Sequence, residues 1–220
     1  MQRVPEPELM DAPEQARAYA EADFSEPNTL FVDQALSHLD STGGGRLVDL
    51  GCGPGDICLR FARALPEWYI VGLDAGPNML TIARAALEAS ELRDRVEFVQ
   101  AYLPDHPLNG RFDAVVSNSL LHHLPDPMTL WQTVATLAAP GAFVQVMDLH
   151  RPADLEVARN LVDEHAAGEP EVLRQDFHNS LLAAWTVDEV ASQLEQAEIG
   201  GLLISRPTER HWLVQGHLDR

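Results

Sequence analysis

Residues 47–55 of this 220-residue chain read Leu-Val-Asp-Leu-Gly-Cys-Gly-Pro-Gly, an apolar run that passes directly into a glycine-rich turn. Leu47 to Leu50 has the length and composition of a buried parallel strand. The glycines at 51, 53 and 55 let the backbone turn sharply and lie close to a ligand, where a side chain would obstruct it. Residues 57–64 have helical spacing, and a helix N-terminus favours anionic ligand groups. The segment therefore predicts a strand, a ligand-binding turn and a helix.

The polar residues around this turn indicate which ligand it binds. A second predicted strand, 68–73, ends at Asp74, which is well placed to accept hydrogen bonds from a ribose diol. The pattern Gly-Cys-Gly-Pro-Gly-Asp departs from the G-x-G-x-x-G of dinucleotide-binding folds. Asp49 and Asp56 flank the turn and would repel a pyrophosphate, but they suit a ligand with an amino group or a sulfonium. The sequence predicts a nucleoside pocket for a partly cationic ligand.

Three motifs in this order resemble those of the class I S-adenosylmethionine-dependent methyltransferases. They read Val-Asp-Leu-Gly-Cys-Gly-Pro-Gly at 48–55, Gly-Leu-Asp at 72–74 and Ser-Asn-Ser-Leu-Leu-His-His-Leu-Pro-Asp-Pro at 117–127. The resemblance covers roughly residues 46–150 and extends more loosely to the flanks. The alternative, a glycine turn in an unrelated α/β protein, does not account for three motifs at these separations. The resemblance implies S-adenosyl-L-methionine as the cofactor and a small molecule as the methyl acceptor.

The hydrophobic pattern predicts an α/β fold, a doubly wound Rossmann-like sheet with helices on both faces. The predicted elements of the core are strand 46–50, helix 56–64, strand 68–73, helix 77–89, strand 95–99, strand 112–117, helix 127–138 and strand 142–148. After them come helices near 153–167, 172–184 and 187–197 and strands near 201–206 and 209–215. The resemblance implies seven strands in all, with the last one antiparallel.

We expect one domain over residues 1–220, with three parts. Residues 1–45 are predicted to form a helical lid, in which Pro27-Asn28 separates two helices. Residues 46–150 form the cofactor-binding core, and residues 151–220 supply acceptor-side helices and the closing strands.

Composition excludes several classes of protein. The formal net charge is -19, and the 15 basic residues are all Arg, scattered along the chain. This charge disfavours DNA and RNA as partners, and the absence of Lys excludes Schiff-base chemistry and a P-loop. Cys52 and Cys58 are too few for a disulfide framework and lack partners at metal-ligand spacing. We expect a soluble, cytoplasmic monomer or homodimer without a metal or a membrane segment.

The resemblance implies four walls of the cofactor pocket, each following one strand. The residues concerned are Asp49, Gly51, Cys52, Gly53 and Gly55; Asp74, Ala75 and Met79; Tyr102 and Leu103; and Ser117, Asn118 and Ser119. In the third wall the chain departs from the family, because Ala101-Tyr102-Leu103 replaces Gly-Asp-Ala. The adenine amino group must then find another acceptor, with Asp105 and Gln100 as candidates, or bind water.

Catalytic candidates lie at the ends of the later strands. In similar sugar O-methyltransferases a histidine of the His-His-Leu/Met-Pro-Asp motif acts with an acidic residue, which here implies His122 or His123 with Asp148. The alternative is that this motif is a structural turn. Tyr19 is a candidate to close over the sulfonium, with packing against the core as its alternative.

The region after residue 162 is rich in polar and aromatic side chains and is consistent with an acceptor chamber. The candidates are His165, Arg174, Asp176, Phe177, His178, Asn179 and Trp185, with Arg210-His211-Trp212 as the far edge. The alternative is a set of solvated helix faces.

Two hypotheses for the whole chain remain open. The first is a small-molecule methyltransferase, whose acceptor atom (O, N, S or C) the sequence does not distinguish. The second is a module that binds S-adenosylmethionine without catalysis. An NAD-dependent oxidoreductase ranks third because Pro54 and Asp56 do not suit a pyrophosphate.

Overall fold

Seven strands form a single sheet in the computed structural model, which describes residues 1–6, 9 and 11–219. The strands are β1 (Gly45–Leu50), β2 (Trp68–Asp74), β3 (Val96–Gln100), β4 (Phe112–Asn118), β5 (Ala138–Leu149), β6 (Leu202–Thr208) and β7 (His211–His217). Their order across the sheet is β3-β2-β1-β4-β5-β7-β6. β1 to β5 are parallel, and β7 is antiparallel to both β5 and β6. The predicted doubly wound sheet with an antiparallel last strand is confirmed.

Helices cover both faces of this sheet. They are α1 (Pro13–Glu21), α2 (Ser25–Leu36), α3 (Asp56–Ala64), α4 (Pro77–Glu88), α5 (Met128–Leu137), α6 (Leu155–His165), α7 (Glu171–Ala183) and α8 (Val187–Gln196). α2, α3 and α4 bury residues such as Phe31, Phe61 and Leu80 in one hydrophobic core. α5 and α8 bury Trp131 and Val190 in a second core on the opposite face. Burial of these apolar surfaces supplies the main stabilisation of the layers.

The N-terminal region differs from its prediction in two respects. Pro27 lies in the first turn of α2 and does not separate two helices; the break falls at residues 22–24 instead. Proline is tolerated there because the first-turn N–H groups of a helix have no intrahelical acceptor. The described residues before α1 are not helical, so the lid predicted for residues 1–45 does not begin with a helix there; we call the described residues 1–6, 9, 11 and 12 the N-terminal strap.

The sheet brings the predicted site residues to one edge. Leu50 pairs with Leu73 across β1 and β2, and Asn118 pairs with Met147 across β4 and β5. The loops that follow these strands therefore meet at the carboxyl ends of the parallel strands, where ligands bind in such folds. Among the described helices, none is both long and apolar enough to cross a membrane.

Candidate functional site

The glycine turn after β1 is held in place by the neighbouring strand. The N–H groups of Gly51 and Cys52 both donate to the Leu73 carbonyl, at 2.8 and 3.0 Å. Gly51, Gly53 and Gly55 all have positive φ, which disfavours any residue with a Cβ. A Cβ on Gly55 would lie 2.6 Å from the Phe98 ring, so this glycine is required by packing. A Cβ on Gly53 would meet no described atom within 4 Å, so among the three glycines of this turn Gly53 is the one that borders open space.

Asp74 joins the turns that follow β1 and β2. Its Oδ2 accepts the N–H of Gly53 at 2.8 Å, and its Oδ1 accepts the N–H of Gly76 at 2.7 Å. Burial raises the pKa of Asp74, although these two backbone hydrogen bonds act in the opposite direction. Asp74 thus positions the Gly53 backbone, and a carboxylate oxygen retains a further lone pair for a ligand hydroxyl.

Asp49 lies at the end of β1 and is 1% exposed. Burial raises its pKa to about 7, and the charge of Asp74 acts in the same direction. The thiol of Cys58 donates to Asp49 Oδ2 at 3.3 Å, which explains the inward orientation of that cysteine. A cationic ligand group close to Asp49 would favour its ionised form, as expected for any opposite charge nearby.

A cavity of about 330 Å³ lies between the glycine turn, α1 and α2. Its lining includes Tyr19, Asp49, Gly53 and Asn118. Asn118 Oδ1 is buried and has no hydrogen-bond partner among the described residues. Buried polar atoms are normally paired, so an unpartnered oxygen at a cavity wall indicates a ligand donor group. The cavity, the Asn118 oxygen and the Asp49 carboxyl fit the ammonium-bearing arm of S-adenosylmethionine.

Two aromatic rings of the lid border the same cavity. Tyr19 packs on Phe24 with 4.7 Å between ring centroids, and both line the cavity. Burial raises the pKa of Tyr19 to about 12, with further contributions from nearby carboxylates such as Asp74. The phenol is therefore neutral near pH 7 and offers packing and a hydrogen bond. Asp56 also lines the cavity, but Arg60 contacts its Oδ2 at 2.6 Å.

Several predicted cofactor residues do not line this cavity. Tyr102 is 62% exposed, whereas Met79 is buried against the core. Ser117 is buried, and its hydroxyl donates to the Leu50 carbonyl at 2.8 Å, so it faces the sheet and joins β4 to β1. The other members of this group are Gly55, Asp74, Ala75, Leu103 and Ser119, the last with a φ of 58°. For these residues, as for those that line the cavity, the cofactor contact remains a prediction.

Asp11 of the strap was not predicted from the sequence. Its Oδ1 accepts the N–H groups of Asn78 and Met79 at 3.0 and 3.2 Å, so it caps the first turn of α4 from outside the helix. It also lies close to Gly76, because a Cβ built there would be 2.4 Å from Asp11 Oδ1. Asp11 therefore lies at the edge of the sheet beside Asp74.

His122 and Asp148 form a buried ion pair. His122 Nδ1 lies 2.5 Å from Asp148 Oδ1, and the His122 N–H donates to Asp148 Oδ2 at 3.0 Å. The two side chains are 3% and 1% exposed. Burial alone would lower the pKa of His122, but the Asp148 charge and hydrogen bond outweigh it and raise that pKa. Burial would likewise raise the pKa of Asp148, but the His122 charge lowers it. The two predicted partners are in contact.

His123 pairs with a different carboxylate, from the strap. Its Nδ1 lies 2.6 Å from Glu6 Oε2, and its ring centroid is 4.1 Å from that of His122. Glu6 Oε1 accepts the Ser180 hydroxyl at 2.6 Å. Burial would raise the pKa of Glu6, but the hydrogen-bonding effect and charge of His123 lower it. Glu6 was not predicted from the sequence, because nothing in residues 1–6 indicates a contact with residue 123.

Arg3 fastens the strap beside the two histidines. Its guanidinium donates to the carbonyls of Ala183 at 2.6 Å and His122 at 2.9 Å. It also lies over the Trp185 ring, 4.1 Å from the centroid. These contacts place one predicted chamber residue, Trp185, next to the histidine turn. Trp212 is fully buried in the core instead, so it does not form the chamber edge predicted for it.

Other predicted chamber residues interact mainly with the protein surface around them. Both carboxylate oxygens of Asp176 accept hydrogen bonds from Gln15 Nε2, at 3.0 and 3.2 Å, which joins α7 to α1. Arg174 contacts Asp163 at 2.8 Å. Arg210 lies 5.8 Å from the Phe177 ring.

Comparison with known proteins agrees with this geometry. Residues 47–142 match the methyltransferase domain family. The ubiquinone biosynthesis O-methyltransferase of Vibrio vulnificus (strain YJ016) is 32% identical over 126 residues, which are 56% of this chain and 52% of that protein. The chain thus spans about half the length of the curated relatives it matches.

Solved structures share the fold over almost the whole chain. A SAM-dependent methyltransferase from Aquifex aeolicus has a TM-score of 0.70 at 16% identity, covering 94% of this chain and 98% of that one. The plantazolicin methyltransferase BamL, in complex with a desmethyl analogue and SAH, has a TM-score of 0.72 at 12% identity and covers 94% and 92%. At these identities the likeness establishes the fold.

Proposed function

We propose that this chain, whose residues 47–142 match the methyltransferase domain family, transfers a methyl group from S-adenosylmethionine to a hydroxyl oxygen of a small-molecule acceptor. The observation that carries the proposal is the cavity at the glycine turn, where Gly53 leaves its Cβ position open between Asp49 and Asn118. The choice of a hydroxyl follows the O-methyltransferase relatives. The net charge of -19 argues against a nucleic-acid acceptor.

Residues in the cavity and next to it are suited to hold the cofactor. Asp49 and the unpartnered Asn118 oxygen are acceptors for an ammonium group. Asp74 already orients the Gly53 N–H and is the acceptor for ribose hydroxyls. When bound, S-adenosylmethionine supplies an activated methyl group on a sulfonium, so the protein's main task is to align the acceptor.

A hydroxyl acceptor must also lose its proton. We propose that the turn containing His122 and His123, together with Asp148, prepares the acceptor by removing or orienting this proton. Asp148 holds His122 through both its ring and its backbone N–H. His123 is the more accessible of the two, at 17% exposure, which supports it as the residue that meets the hydroxyl.

The N-terminal strap and α1 then act as the lid of the site. Tyr19 closes one side of the cavity, and Glu6 and Arg3 cover the histidine turn. An acceptor must enter beside this lid, which would exclude water during transfer. We further propose that the protein works in the cytoplasm, which its two free cysteines suit, as a monomer or homodimer.

Calorimetry with the purified chain tests the cofactor assignment. S-adenosylmethionine and S-adenosylhomocysteine should each bind with one site per chain, and NAD should give no signal. Binding of NAD without binding of either sulfur nucleoside would refute the proposal. Binding of S-adenosylmethionine with no turnover on any acceptor would favour the non-catalytic module.

A further inference from the structure

We propose that Glu6, His122 and His123 form a binding site for a divalent transition-metal ion of the zinc type. One ligand atom from each of these residues lies within 4.8 Å of the other two. Two imidazoles and one carboxylate are a common ligand set for zinc sites that keep a fourth position open. This site lies outside the lining of the glycine-turn cavity, but it uses the two histidines that the proposed function assigns to the acceptor proton, so it rests on the same turn.

The orientation of His122 is the first argument for the site. Metal-bound histidines usually donate their other ring N–H to a carboxylate, which fixes the tautomer and the ring plane. Asp148 takes this role here, because its Oδ1 lies 2.5 Å from His122 Nδ1. Nε2 remains as the ring nitrogen available to an ion. His122 is thus held in advance in the arrangement that a metal requires.

The second argument is the pairing of His123 with Glu6. His123 Nδ1 is buried and lies 2.6 Å from Glu6 Oε2, which places a ring nitrogen and a carboxylate oxygen side by side next to His122. A metal ion would take the place of the proton that these two atoms share, and they would have to move apart to bind it. In a tetrahedral site with bonds of about 2.0–2.1 Å, ligand atoms are about 3.3 Å apart. The 2.6 Å separation of His123 Nδ1 from Glu6 Oε2 would therefore widen by about 0.7 Å.

The nearby charges and the hydrogen bonds that hold Glu6 in place also favour a cation at this position. Glu6 and Asp148 carry two negative charges beside the two rings, and Arg3 carries one positive charge nearby. Glu6 is fixed by the Ser180 hydroxyl, and the strap around it is fixed by the bond from Val4 N–H to the Leu182 carbonyl. A ligand that is already in place loses little conformational freedom when an ion binds.

A second group of possible ligands provides a control. Glu164, His165 and Glu209 also lie within 4.8 Å of one another, but all three are exposed and only one is a histidine. Exposed acidic groups of this kind do not orient a ligand ring, so we expect this group to bind weakly or not at all.

Calorimetric titration of the full-length, chelator-treated chain with zinc chloride tests the site. We expect one ion per chain, with affinity at least tenfold lower for His123→Ala and Glu6→Gln and unchanged for His165→Ala. Asp148→Asn should lower affinity by about 10–100-fold, the usual effect of removing a carboxylate that orients a ligand. Glu6 lies on the strap, so Glu6→Gln leaves the core intact even if changes at the buried pair impair folding.

Two results would overturn the inference. One is the absence of zinc binding by the wild-type chain. The other is binding that survives both His123→Ala and Glu6→Gln, or that His165→Ala abolishes. Since the titration contains neither cofactor nor acceptor, its outcome is independent of the proposed methyl transfer.

Discussion

Substitution of Asp49 by Asn should stabilise the protein and weaken its cofactor binding at the same time. The folded-state pKa of Asp49 is about 7, against an ordinary value of 3.8. Between these values the carboxyl is ionised in the unfolded chain and protonated in the folded one, so unfolding releases a proton. Each pH unit in this window lowers the free energy of unfolding by about 1.4 kcal/mol. Above pH 7 the total loss in the free energy of unfolding is about 4 kcal/mol, and below the pKa of the unfolded chain there is no loss.

Asparagine has nearly the same shape as aspartate but does not ionise, so it causes no such loss of stability. We therefore expect Asp49→Asn to raise the free energy of unfolding by up to about 4 kcal/mol at pH 8 but only by about 2 kcal/mol at pH 5.5. Urea unfolding of the cofactor-free protein at the two pH values measures this difference. The exposed Asp94→Asn is the matched control and should change the free energy by less than about 0.5 kcal/mol at either pH.

The same substitution should reduce affinity for S-adenosylmethionine about tenfold or more at pH 8, because it removes a charged acceptor of the ammonium group. A gain in stability equal at both pH values would mean that Asp49 does not titrate near neutrality. A loss of stability at pH 8, or unchanged affinity, would refute the reading of Asp49 as a buried carboxyl that serves the ligand.

Other residues of the site give three further predictions. Asp74→Ala should weaken S-adenosylmethionine binding about tenfold or more by calorimetry, and unchanged affinity would mean that this carboxylate does not contact the ribose. Gly53→Leu should abolish S-adenosylmethionine binding while the fold survives. Gly55→Ala should instead lower the free energy of unfolding by more than about 1 kcal/mol, because its Cβ would meet an aromatic ring. The reverse pattern would contradict the assignment of the two glycines. His123→Ala should lower turnover about 100-fold at unchanged cofactor affinity. His122→Ala should lower the free energy of unfolding by about 3–5 kcal/mol, because it leaves a buried carboxylate unpaired. Near-normal turnover in both variants would mean that the histidine turn is a structural element.

Local patterns made the core predictable. The run at 47–55 combines an apolar strand with glycines at fixed positions, and the structure has β1, the turn and α3 within one residue of the expected bounds. The contact between His122 and Asp148 was also predictable, because His122 follows β4, Asp148 lies at the end of β5, and the ends of these neighbouring parallel strands meet at one edge.

The contacts of the strap could not be predicted from such local patterns. Glu6 and Arg3 contact residues more than 110 positions away in the chain, and short-range patterning carries no information about such contacts. The roles of individual glycines also depend on tertiary neighbours: Gly55 is required by the Phe98 ring, and only the fold brings that ring close. The position of Pro27 shows how a local rule fails, since proline is accepted in a first helical turn.

The central claim is that this chain moves a methyl group from S-adenosylmethionine to a small hydroxylated molecule. The most direct test is to incubate the purified chain with methyl-labelled S-adenosylmethionine and a metabolite extract, and to follow label and cofactor product by mass spectrometry. We expect one labelled small molecule to form in equal amount to S-adenosylhomocysteine, with both lost in Asp74→Ala. Binding of the cofactor with no label transferred to any extract component would contradict the account.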